Sequence, residues 1–105
     1  MEKALQVFSY KDKQVRTVMY DGEVWFVAKD VCDILEIQNA ARAVQDELDE
    51  DERSKYYLGR QGEANIISEA GLYKLTFNSR KVEAKSFTRW VTHEVLSFRL
   101  PLISA

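Results

Sequence analysis

Lys81, Lys85, Arg89 and His93 recur at intervals of four residues. On a helix that spacing sets them one turn apart along a single side, and a row of cations is chemistry that suits phosphate. Arg80 and Lys81 fall where this helix should begin, a place the helix dipole makes unfavourable for cations by roughly a few tenths of a kcal/mol each. Bases gather there at little cost when helix amides and cations converge on a phosphate. Arg80, Lys81, Lys85 and Arg89 are therefore candidate phosphate contacts. The competing account is an ordinary solvated helix face, with Glu83 and Glu94 offsetting part of the charge. A second candidate is Arg42, with Asn39 and Gln45 on neighbouring turns, because Asn, Gln and Arg read adenine and guanine edges in the major groove. The segments Val31–Ile37 and Ala40–Leu48 have the outline of a helix-turn-helix, without a specific signature.

Other chemistries find little support. Cys32 and His93 are a nucleophile and a base in principle, but Cys32 lies among Val31, Ile34 and Leu35 at helical spacing, where cysteine is a common core residue. One His and one Cys, with no CxxC or HExxH pair, do not make a zinc site. The acidic run Asp46–Arg53 (DELDEDER) lacks the mid-loop glycine of a calcium-binding EF-hand and is read as a solvated loop, or as a surface that repels DNA or mimics its phosphates. Gly59 and Gly62 bracket Arg60 as the end of a hairpin, not as a phosphate-cradling loop. No enzyme activity, cofactor or metal is expected.

The elements that must position these residues come from 105 residues, the size of one domain. A composition of 46% hydrophobic and 30% charged residues is that of a globular chain, and its five Tyr, five Phe and two Trp supply large buried areas. Cys32 is the single cysteine, so no internal disulfide forms, which fits a reducing cytosol. No apolar run suits a signal peptide or a membrane span. Net charge is −2, which opposes indiscriminate attraction to nucleic acid. The charge is unevenly spread: the acidic run carries a local −5, whereas Leu72–Arg99, with Lys74, Arg80, Lys81, Lys85, Arg89 and Arg99 against Glu83 and Glu94, carries +4.

Period-2 patterning predicts strands at Leu5–Tyr10, Gln14–Tyr20 and Glu23–Val27, the last apolar on both faces, with Asp21-Gly22 as a type I′ turn. The period then becomes helical at Val31, Ile34 and Leu35, with Asp30 in the first turn, where a negative charge suits the dipole. Asn39 should cap a helix through Leu48, and Ser68 one over Glu69–Thr76. Arg53–Leu58 and Ala64–Ile67 form a second hairpin. The last helix is placed from Asn78 or Ser79 to about Phe98, anchored by Phe87 and Trp90. The expected fold class is α+β: small antiparallel sheets, a three-stranded meander plus the second hairpin, packed with about four helices. One domain spans 1–105, its core over about 1–99 and an apolar tail over 100–105.

The stretches WFVAKDVCDIL, LDEDER, IISEAGLYKL, SRKVEAKSF and RWVTHEVL, in this order and spacing between about Val7 and Leu96, resemble the Bro-N domain, the N-terminal module of phage antirepressors and of BRO proteins of large DNA viruses. The resemblance implies a DNA-binding transcription regulator, phage- or prophage-encoded and acting in the cytoplasm of a bacterial host. It implies basic positions at Lys74, Arg80, Lys81, Lys85 and Arg89, and double-stranded DNA as partner. The alternative is a protein-interaction module that binds a repressor or host protein without touching DNA. The family commonly has proline where this chain has Ala40, Ala70, Val82 and Ser97. The tail Leu100–Ile103 is a candidate homodimer contact.

Overall fold

A computed structural model of the chain describes residues 5–79 and 84–95. The order of elements is β1 (Leu5–Tyr10), β2 (Lys13–Tyr20), β3 (Glu23–Val27), α1 (Ala28–Leu35), α2 (Ala40–Glu47), β4 (Arg53–Tyr57), β5 (Glu63–Ile67), α3 (Glu69–Asn78) and α4 (Ala84–Trp90). A short 3-10 turn over Glu50–Glu52 precedes β4, and α4 runs on as a wider π-type turn over Val91–Val95. The fold is α+β. The meander and the second hairpin are present as expected, but they form one antiparallel sheet in the order β1-β2-β3-β5-β4. The join is short, Phe26 opposite Ile67 and Val27 opposite Ile66. A separate hairpin would expose apolar Ile66 and Ile67 and leave the edge of β3 without partners, and joining the two removes both costs.

Both faces of β3 are buried. Phe26, together with Val15 and Ile67, meets Val31, Leu72, Leu75, Phe87 and Val91 from the helices. On the opposite face Val18, Trp25, Val27 and Ile66 form a smaller cluster under Tyr56, Leu58 and Ala64. At the outer end of the sheet, Tyr10 of β1 packs edge-on against Phe87 at 5.3 Å between ring centroids and lies 5.1 Å from Trp90. Gly71, in the first turn of α3, lets that helix settle on the preceding turn, because a β-carbon there would meet the Glu52 carbonyl oxygen and Leu48 at 3.0 Å.

The caps follow the sequence. The Asn39 side chain accepts from the Arg42 N–H at 3.1 Å, and Ser68 Oγ accepts from the Gly71 N–H at 3.1 Å. Asp21 and Gly22 both have positive φ, 55° and 80°, as the turn requires. One boundary differs. Asn78 is the last residue of α3 rather than the start of the final helix, and Ser79 is extended at φ −76°, ψ 142°. The Asn78 amide donates to Glu47 at the end of α2, which favours its place on α3. Arg80, Lys81, Glu83, Phe98, Arg99 and the tail 100–105 lie outside the described residues.

What holds the sheet to α1 is an ion pair that the sequence patterning did not single out. β3 stops at Val27, and α1 begins at the next residue with no linker. Beyond the last β2–β3 rung, Thr17 opposite Phe26, the Arg16 N–H donates instead to the Asp30 carboxylate at 2.9 Å. The Arg16 guanidinium donates to both oxygens of the same group, from Nε at 2.9 Å and from Nη2 at 3.0 Å. Asp30 thus takes over the backbone partner that β3 gives up. Its hydrogen bond pushes the Arg16 guanidinium above its ordinary value, ahead of the opposing effect of burial. The side chain of Asp30 is 3% exposed and that of Arg16 14%. Removing one member of such a buried pair leaves the other uncompensated. Asp30→Asn should therefore cost about 3 kcal/mol of unfolding free energy, read from the urea midpoint at neutral pH. Arg16→Leu/Asp30→Asn together should cost less than the sum of the two single changes.

Candidate nucleic-acid interface

The basic stripe is built on α4. Phe87 and Val91 are completely buried and fix the rotation of the helix, so the opposite side faces solvent. On that side Lys85, Arg89 and His93 are exposed. None of the three has a carboxylate partner among the described residues. They border a concavity of about 670 Å³ between α3 and α4, whose far wall is formed by Tyr73, Thr76 and Phe77 of α3 and by Ser79 just beyond it. The Thr88 and Thr92 hydroxyls at its rim donate to the carbonyls of Ala84 and Arg89, which aims their methyl groups rather than their protons outward.

Phe77 is the feature that sequence reasoning missed. It is 89% exposed, the most exposed large apolar side chain described. The expected helix stops at Thr76; with α3 running to Asn78, Leu72, Leu75 and Thr76 set its buried side at i, i+3 and i+4, and a residue one step further along leaves it. Its ring stands on the wall of the concavity that Lys85, Arg89 and His93 border.

The remaining candidates are placed elsewhere. Lys74 is on α3, but its ammonium is 3.2 Å from Asp49 and 2.8 Å from Glu52, so the acidic run neutralises it. Arg42 is 77% exposed on α2, away from α4, and its Nε donates to Asp46 at 3.3 Å. Asn39 spends its oxygen on the helix cap. Cys32 is buried in the main core, and desolvation, aided by the charges of Asp33 and Glu47, pushes its thiol up to about 11. It is a packing residue held as the neutral thiol. Asp49, Asp51 and Glu52 bring their carboxylates within 4.8 Å of one another, but Lys74 occupies two of them. Among the described residues, no helix is long and apolar enough to cross a membrane.

With the geometry in place, comparison with known proteins identifies the group. Residues 14–97 match the BRO family N-terminal domain, Bro-N, and the chain belongs to that family. Its members are regulatory, non-catalytic domains. The chain is similar to an uncharacterized protein of Haemophilus influenzae, 40% identical over 93 residues. That alignment takes in 85% of this chain and 46% of the relative, so the chain spans about half the length of the protein it matches. No solved structure matches.

The Lys74 contacts have a pH consequence. The ammonium of Lys74, and then the Asp49 N–H, hold Glu52 below the usual carboxylate range, while the same carboxylates raise Lys74. A depressed acid contributes stability above its unfolded value and loses it as pH falls through its folded value. The urea midpoint should thus decline on acidification from about pH 6 to about pH 3, and Lys74→Met should make that decline shallower. The surface location keeps the difference small.

Proposed function

We propose that this domain is a transcription regulator of the phage antirepressor type that binds duplex DNA, with the basic side of α4 seated on the phosphate backbone. It would act in the cytoplasm of a bacterial host. The observation that carries this reading is the free charge of Lys85 and Arg89, grouped with the His93 ring on one exposed flank of a chain whose total charge is −2. A net anionic domain is held off DNA except where a local cationic surface meets it. Family membership supports the same class of function. Arg80 and Lys81 precede this helix in sequence and belong to the same proposed contact; Lys74 and Arg42 do not, because their charges are already answered by acids.

Each phosphate contact contributes about 0.9 to the slope of log affinity against log salt. Replacing both Lys85 and Arg89 by alanine should flatten that slope by about 2 and weaken binding to random and specific duplexes alike, measured by gel shift across a salt series. Lys74→Met should leave the slope as it is. A wild-type slope retained in the Lys85/Arg89 variant would reject the α4 contact. Absence of duplex binding at low salt would favour a protein partner, a repressor or a host factor, as the target.

A further inference from the structure

Thr17, Phe26, Ile67 and Arg53 lie on one line across four strands. From that line β2 continues four residues, to Lys13, and β5 continues four, to Glu63, whereas β3 continues by only one, to Val27. The sheet is therefore forked at this end. The β1–β2 hairpin forms one arm and the β4–β5 hairpin the other, and α1 begins in the space β3 vacates. Both tight turns, Lys11-Asp12 and Gly59–Gly62, point the same way.

The charges sort along this axis. At the forked end Lys13, Arg16 and Lys29 line one concavity with Asp30 and Asp33, and Arg53 and Lys55 line another with Glu50, a net +2. At the other end Glu23, Asp51, Glu52 and Glu69 line one concavity. Lys13, Lys55 and Arg60 are exposed and have no carboxylate partner among the described residues. The near arm also packs on the inner side of α4: Tyr10, the residue before the turn, lies 5.1 Å from Trp90, and its ring sits 5.5 Å from the Lys11 ammonium.

We infer that the fork is a second phosphate-contacting surface for duplex DNA. This inference rests on the DNA-binding reading above and names the element that completes it. The near arm, with Lys13, meets one backbone strand and the far arm, with Lys55 and Arg60, meets the other. The hairpin centres are three strand spacings apart, about 14 Å, on the scale of a major groove about 12 Å wide. The acidic end of the domain orients the fork toward the polyanion.

The test compares salt slopes for wild type, Lys13→Ala, Lys55→Ala/Arg60→Ala and Lys85→Ala/Arg89→Ala on one random duplex. The near-arm change should flatten the slope by about 1 and the far-arm pair by about 2, at about 0.9 per contact. The swaps Lys13→Arg and Lys55→Arg, which keep the charge, should restore the wild-type slope. Thermal melts of these turn and edge variants should match that of the wild type, which separates lost contacts from lost folding. Unchanged slopes in both arm variants beside a flattened α4 variant would overturn the fork and spare the α4 contact. An effect of Lys13 alone would likewise overturn the two-armed grip. A wild-type chain that fails to bind duplex at about 50 mM salt would remove both readings together.

Discussion

The Asp30 carboxylate sits where the chain changes from strand to helix without a linker. Ending a strand in mid-sheet exposes the backbone of its neighbour, and a buried amide without a partner costs about 1–3 kcal/mol. Asp30 resolves this within the first turn of α1 by accepting from the Arg16 N–H and from the Arg16 side chain together. The same contact fixes the start of α1, and α1 fills the space between the two hairpins. The helix layer is then laid over Phe26 and Ile67, with Phe87 and Val91 setting the rotation of α4. Exposure of Lys85, Arg89 and His93 follows from that rotation.

Electrostatic pairing, more than charge count, decides which cations remain available. Lys74 resembles Lys85 in type and in sequence neighbourhood, yet Asp49 and Glu52 hold it. The acidic run is in this sense a structural partner: it caps its own turn through the Asp49 N–H and Glu52, receives Lys74, and leaves α4 the less encumbered basic element. Paired charges at a surface add little to stability, so the effect here is chiefly on where the field of the molecule points.

Much of this was legible in the chain. Alternation and the Asp21-Gly22 turn locate the meander because a half-buried strand must repeat with period two. Asn39 and Ser68 locate helix starts because their oxygens satisfy free amides. The stripe of α4 was readable from spacing alone. The joining of the two hairpins was not, since the pairing of Val27 with Ile66 spans a long stretch of chain and leaves no local mark. Nor was the role of Asp30, which looked like any acid in a first helical turn; only the end of β3 gives it an orphaned amide to satisfy. The partners of Lys74 were hidden for the same reason, being 22 and 25 residues away. Phe77 was readable from helical phase, but only once α3 was known to run past Thr76.

The two rungs that connect the hairpins carry a consequence for how such a domain can diversify. Core packing is concentrated near that joint and beneath the helices and reaches the β1–β2 tip through Tyr10, while the turn at 59–62 stands clear of the main core. Lengthening or shortening the β4–β5 hairpin by whole residue pairs keeps the inward-facing side chains in phase and leaves the joint untouched. Reach and tip chemistry are thus modular, free to be retuned for new partners without renegotiating the fold.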